Sequence, residues 1–271
     1  MCPYIHIFSH DIPVYGLMML LGMAAAFGVV AFQCGHFKYS RQEAFLTALI
    51  AVAGGMAGAI LLKPIMKLPG VIINWDRYSQ APIGEFLSWF FGELVFYGGL
   101  IGGTLSVILY CRFFKMPVID ICDIFAPAVL VGQAFGRVGC LFAGCCYGIE
   151  VSPNNPLAII YPPRTDSLTS LAAPTGVPVL ALPLIEATGN IIIACIVMLL
   201  QRKSKTKGIG AAVYGILYSV FRFTLEFFRG DLVRGVYGGI STSQIISIIV
   251  LAVSVLWLVF ISRKRRKMVQ Q

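Results

Sequence analysis

Apolar runs of helix-spanning length, separated by short basic loops, restrict this chain to one class of structure. Pro13 to Phe32 is interrupted only by Tyr15 and glycines, and Ala44 to Leu62 is almost wholly Ala, Gly, Leu, Ile and Val. About 20 such residues cross a hydrocarbon core of roughly 30 Å as helix. With 58% hydrophobic and 12% charged residues among 271, and a mean hydropathy of +0.84, the composition excludes an ordinary soluble domain. The pattern predicts an all-α integral membrane protein with seven transmembrane helices in a single domain, residues 1–271. The predicted spans are 13–32, 44–62, 92–111, 119–137, 179–200, 208–228 and 241–261, with an outer loop over 138–177. The first run lacks a basic leader and a small-residue cleavage site and reads as a retained span. Residues 83–92, IGEFLSWFFG, read as an interfacial segment, and the GGMAG at 54–58 as a close helix contact.

The net charge of +9 does not point to nucleic acid, because the Lys and Arg residues fall mostly in loops beside the spans. One set of loops carries Lys38, Arg41, Arg112, Lys115, Arg202, Lys203, Lys205 and Lys207, with five more basic residues at 263–267. Positive charge marks the cytoplasmic side, so the N-terminus is expected outside and the C-terminus in the cytoplasm.

That topology gives every span an outer and an inner end, and the polar residues gather at the outer ones. Tyr15, Glu93, Tyr97 and Glu186 begin spans that run inward; Arg137, Arg222 and Glu226 end spans that run outward; Ser241, Ser243 and Gln244 open the last. A charge within a span costs about 2.5–3.5 kcal/mol at the centre, which makes such a gathering a functional-site candidate. Tyr214, Tyr218, Arg222, Glu226 and Arg229 recur at steps of three or four, one stripe on a helix. Glu226 could simply neutralise Arg222, and Arg137 could snorkel to lipid phosphate. Two arginines with a carboxylate in one stripe favour an anionic ligand, since a guanidinium grips two phosphate oxygens and stays charged when desolvated. Arg137 and Arg222 would then clamp a lipid phosphate at the outer leaflet, with Gly98 and Gly99 admitting the head group. Asp120 and Asp123 lie at the other end and read as helix-terminus residues.

These segments resemble the prolipoprotein diacylglyceryl transferase family over most of the chain. VYGLMMLLG at 14–22 resembles its first-span motif, YGGLIGG at 97–103 its HGG segment, and DIFAPAVLVGQAFGRVG at 123–139 its arginine-glycine signature. YSVFRFTLEFFRGD at 218–231 and ISTSQIISI at 240–248 resemble its last two motifs. The resemblance implies transfer of a diacylglyceryl group from phosphatidylglycerol to the thiol of a lipobox cysteine in a prolipoprotein or related acceptor, at the outer face of a bacterial cytoplasmic membrane, with glycerol phosphate leaving. It places Arg137 and Arg222 at the essential arginines and Tyr15, Tyr218, Glu226 and Gln244 at matching positions. No cofactor is implied, and the partners are membrane lipids and the thiol acceptor.

The chain departs from that pattern where acid–base chemistry is expected. Tyr97 stands for the usual histidine before the glycine pair, Cys140 for an asparagine, and Cys145 for a glutamate. A phenol with an ordinary pKa of about 10 is a poor base near neutral pH, whereas a thiol beside a guanidinium can become a nucleophile. Tyr97, Arg137, Cys145, Arg222 and Glu226 are therefore the candidate catalytic residues. Tyr15, Gly98, Gly99, Cys140, Tyr218, Arg229 and Gln244 are the candidate substrate-binding ones. Without histidines near Cys140, Cys145 and Cys146, no metal is expected. A membrane thiol oxidoreductase built on these cysteines, or a protein that binds anionic phospholipid without chemistry, remain open alternatives.

Overall fold

The computed structural model describes residues 4–7, 10–73, 95–162, 173–204, 206–231, 236–237 and 240–269. These residues form seven helices: α1 (Val14–Phe37), α2 (Arg41–Ile73), α3 (Phe96–Phe113), α4 (Val118–Ala143), α5 (Leu182–Lys203), α6 (Ile209–Glu226) and α7 (Thr242–Val269). Short antiparallel pairs join β1 (Tyr4–Ile7) to β2 (His10–Pro13), β3 (Ala158–Ile160) to β4 (Pro178–Leu180), and β5 (Val236–Tyr237) to β6 (Ile240–Ser241). Among the described residues five helices are long and apolar enough to cross a membrane: α1, α2, α4, α5 and the Thr242–Lys264 part of α7; the apolar stretch of α3, Gly98–Phe113, is shorter. Glu93 and the segment 83–92 lie outside the described residues.

The contacts divide the chain into two compact units, Lys38–Val118 and Met1–Phe37 with Ile119–Gln271. In the first, α2 and α3 pack along their glycines. Gly54, Gly55 and Gly58 meet Gly98, Gly99, Gly102 and Gly103, and the Gly58 carbonyl occupies the place where a side chain at Gly98 would begin. This is the small-residue contact expected of GGMAG, since dispersion between close backbones holds helices together where lipid supplies no hydrophobic drive. The Val95 N–H also donates to the Ala59 carbonyl at 3.0 Å.

In the second unit, Ala126 and Leu130 of α4 bury against Ile193, Ala194 and Val197 of α5, with Val213, Leu217 and Phe221 of α6 packed over them. Pro183 lies in the first turn of α5, where its missing N–H costs nothing, and Arg202 and Lys203 end it against the carbonyl end of the dipole. Asp123, buried on α4, accepts from the amides of Gly208 (2.6 Å) and Ala211 (2.9 Å) and so caps the start of α6. The helix-terminus reading of Asp123 holds, but for a helix other than its own. Asp120 pairs with Lys207 at 2.7 Å.

The helix runs past the predicted span end at residue 137. Helix α4 continues through Ala143, so Arg137 and Cys140 are helical residues rather than a span's last residue and a loop residue. The signature is rich in glycine, which in water marks loops, but its apolar faces keep Gly136 and Gly139 in the helix.

Candidate active site

The C-terminal ends of α4 and α6 meet the N-terminal end of α5 in the second unit, and the meeting point is Glu186. Arg137 Nε stands 2.7 Å from Glu186 Oε2, while Arg222 Nη1 and Arg229 Nη1 both stand 3.4 Å from Glu186 Oε1. The Arg137 contact is a charge pair rather than an aligned hydrogen bond, for Glu186 Oε2 has no N–H pointed at it among the described residues. Arg222 Nη2 also pairs with Glu226 Oε2 at 2.8 Å, one turn along α6. Arg229 is held twice by Asp231, Nε to Oδ1 at 2.8 Å and Nη2 to Oδ2 at 2.9 Å. Three guanidiniums and three carboxylates thus make a formally neutral cluster, which is how a low-dielectric region tolerates so many charges.

The three arginines are not equivalent. The Arg137 side chain is 23% exposed, against 10% for Arg222 and 4% for Arg229. Among the described residues Arg137 is paired through Nε alone, so both of its Nη groups remain as donors. Burial works against the charge of Arg229, but the Asp231 bonds and the Glu186 charge outweigh it and raise its pKa. Tyr218 lies in the field of all three arginines and Glu186. The ring of Tyr15 lies over Gly139, beside Arg137 and the cysteines.

The cysteines are brought together by the way α4 ends. Gly144 takes a φ of +67°, the Cys145 amide donates to the Cys140 carbonyl at 3.1 Å, and the Gly144 amide donates to Leu141 at 3.4 Å. This paired cap folds Cys145 back over the last turn. Cys146 follows at φ +59°, a left-handed conformation that costs a residue with a Cβ about 1 kcal/mol. The next residues are fixed from both sides: Gly148 N–H donates to Leu180, Ile149 N–H to Phe228, and Gly230 N–H to Tyr147. The sulfurs of Cys140, Cys145 and Cys146 consequently lie within 4.8 Å of one another, and none of the three is in a disulfide. Hydrogen bonds from the other two thiols and the charges of Arg229 and Arg137 lower the pKa of Cys146, against its burial. At Cys145 the bond with Cys140 lowers the pKa, but the bond with Cys146, burial and the Cys146 charge prevail and raise it to about 11.

The structure therefore brings together Tyr15, Arg137, Cys140, Cys145, Tyr218, Arg222, Glu226 and Arg229. Gly98 and Gly99 lie on the face of α3 that packs on α2, and the side chain of Tyr97 lies outside the described residues. Gln244 is engaged locally: the Ser241 amide donates to its Oε1 at 3.0 Å and its own amide to Ser241 Oγ at 3.2 Å, a reciprocal cap on α7. Sequence reasoning grouped Glu186 with the outer-end polar residues without giving it a role, and passed over Asp231. The signal for Glu186 was present as the single acid of an apolar run.

A profile of the prolipoprotein diacylglyceryl transferase family matches residues 3–260. The chain belongs to this family. It is similar to phosphatidylglycerol–prolipoprotein diacylglyceryl transferase 2 of Clostridium perfringens, 34% identical over 245 residues that cover 90% of this chain and 89% of the relative. The phosphatidylglycerol–prolipoprotein diacylglyceryl transferase of Clostridium tetani is 30% identical over 92% of this chain and 93% of its own length. That of Acinetobacter baylyi is 28% identical over 93% and 88%. In this prolipoprotein diacylglyceryl transferase family member, the arginine-glycine signature at 136–139 is the last part of α4, and it aims its guanidinium at α5 rather than into a loop.

Proposed function

We propose that this chain transfers a diacylglyceryl group from phosphatidylglycerol to the thiol of a lipobox cysteine in a prolipoprotein or related acceptor. The observation that supports it is the convergence of Arg137, Arg222 and Arg229 on Glu186, next to a cluster of thiols. The reaction takes place at the outer face of a bacterial cytoplasmic membrane, in a chain of seven spans with the N-terminus outside and the C-terminus in the cytoplasm, in keeping with the distribution of basic loops.

The chemistry asks for an anion site that strengthens as the reaction proceeds. The thiol sulfur attacks the glyceryl carbon bonded to the phosphate oxygen, the carbon–oxygen bond breaks, and its electron pair leaves with glycerol phosphate. Negative charge grows on the departing phosphate. Arg137, with two Nη groups to offer, takes the phosphate oxygens, and Arg222 supports it through the shared Glu186. Arg229, fixed by Asp231, adds positive potential without having to move, and donors already in place are worth most in a region poor in water. Glu226 keeps Arg222 in place, Tyr15 and Tyr218 line the head-group site, and Cys140, Cys145 and Gln244 complete the substrate and catalytic set of this unit.

Purified protein incubated with phosphatidylglycerol labelled in its acyl chains and a lipobox peptide tests this reading. Label should move to the peptide, with glycerol phosphate released, and the transfer should disappear in Arg137→Ala and Arg222→Ala. Transfer undiminished in both variants would falsify the site.

A further inference from the structure

The acceptor thiol has to lose its proton before it attacks, and each carboxylate of the arginine cluster is already held against a guanidinium. The cysteines offer another route. Three sulfurs within 4.8 Å of one another are close to the spacing that one thiophilic ion imposes. At a zinc–sulfur distance of about 2.3 Å, tetrahedral ligands stand roughly 3.8 Å apart. Small side-chain rotations close the difference.

We propose that Cys140, Cys145 and Cys146 hold one zinc-class divalent ion, whose fourth position binds and activates the acceptor cysteine as its thiolate. The proposal rests on the transferase reading given above. Among the described residues no His, Asp or Glu joins the three thiols. A four-coordinate ion on this trio has one position beyond the three thiols, as catalytic zinc has beyond its three protein ligands.

Three further observations fit. Three thiolates and a divalent ion carry a net charge of −1, or −2 with the acceptor thiolate, and the positive charges of Arg137 and Arg229 lie in range of Cys146. The left-handed backbone at Cys146 is strain placed where it turns the third sulfur toward the other two. Tyr161, 4% exposed, has a hydroxyl with no partner among the described residues and the three thiols as its electrostatic neighbours. Such a phenol is suited to donate to a metal-bound sulfur, the kind of outer partner that fixes ligands.

The step balances without an oxidant or reductant. Binding to the ion releases the acceptor's thiol proton to water. The sulfur lone pair then forms the bond to the glyceryl carbon while the carbon–oxygen bond breaks, its electrons leaving on glycerol phosphate. The product thioether is neutral and a weak ligand, so it departs and the position reopens.

The test uses the full chain in detergent, kept reduced, loaded with zinc or with cobalt(II) and freed of excess metal. The expected result is one ion per chain, with a thiolate-to-cobalt charge-transfer band and the visible bands of tetrahedral cobalt. Binding should fall to below about a tenth of an ion per chain in Cys145→Ser and Cys146→Ser. Chelation and reloading of unmodified protein provide an arm that needs no variant: transfer should be lost and regained. A lipobox peptide should shift the cobalt bands, and the same peptide with Ser for its Cys should not. No ion after loading, transfer indifferent to chelation, a disulfide within the trio of the protein as isolated, or copper(I) in place of zinc would each overturn the proposal while leaving the transferase reading intact. Bands and stoichiometry as expected without any transfer from phosphatidylglycerol would instead sink that reading, and unshifted bands on adding peptide would remove the fourth-ligand role.

Discussion

Arg137 Nε and Glu186 Oε2 stand 2.7 Å apart across α4 and α5, and this pair ties the most exposed guanidinium of the site to its most shared carboxylate. Glu186 faces two other guanidiniums, so removing its charge leaves three positive groups against Glu226 and Asp231. Glu186→Gln keeps the shape and loses the charge. It should lower thermal stability in detergent, by about 3–5 kcal/mol if the cluster behaves as other buried pairs do, and reduce transfer about a hundredfold. Glu186→Asp should recover most of the melting temperature and little of the turnover. Equal stability of Gln and wild type would show that the carboxylate is not what holds the arginines together.

Arg137 is expected to act by its planar fork rather than by charge alone. Lysine at this position keeps the charge but offers a single point of attachment on a flexible stem. Arg137→Lys should therefore lose about 10²–10³-fold in transfer rate, nearly as much as Arg137→Ala, with folding unchanged. A lysine variant within a few-fold of wild type would mean that the phosphate is held by potential and not by paired hydrogen bonds.

The glycines of α3 divide by what they touch. At Gly98 the Gly58 carbonyl stands where a Cβ would go, whereas a Cβ at Gly99 would meet Gly55 O at 3.4 Å and Ala59 Cβ at 3.6 Å, an ordinary contact. Gly98→Ala should cost about 1–3 kcal/mol as the helices separate, and Gly99→Ala close to nothing. Melting curves of the two variants in detergent check this. Equal losses in the two variants would show that the Gly58 carbonyl yields as readily as the contacts at Gly99.

The gathering of charged residues was legible because membrane spans alternate in direction. Once the loops are sorted by charge, Arg137, Glu186, Arg222 and Glu226 fall at one level without any knowledge of the fold, and the ion pairs follow. The way α4 ends was not legible. GRVGCLFAGCC reads as a loop by its glycines, and only the observed left-handed turn at Gly144 shows that helix persists to Ala143 and that Cys145 returns over Cys140. Nor could the spacing of Cys140, Cys145 and Cys146 reveal that their sulfurs meet. That depends on strand-like bonds of Gly148 and Ile149 to segments that lie far along the chain. Glu186 was visible but undervalued, because a single acid in an apolar run has no partner within its own sequence neighbourhood.

The two neighbouring thiols should differ in reactivity when no metal holds them. In chelated, reduced protein Cys146 is the more readily ionised of the two, since its pKa is lowered by the bonds from Cys140 and Cys145 and by Arg229 and Arg137. Cys145, raised to about 11, stays protonated. Only the thiolate attacks an alkylating agent. Iodoacetamide should thus modify Cys146 before Cys145, as read by peptide mass analysis. The selectivity should fade as pH rises toward 11, where Cys145 also ionises, and as pH falls far enough to protonate Cys146. Arg229→Gln should slow the Cys146 reaction by removing one of the charges that hold the proton off. Faster modification of Cys145 at neutral pH would reverse the assignment of the thiolate and put its negative charge one residue nearer to α4.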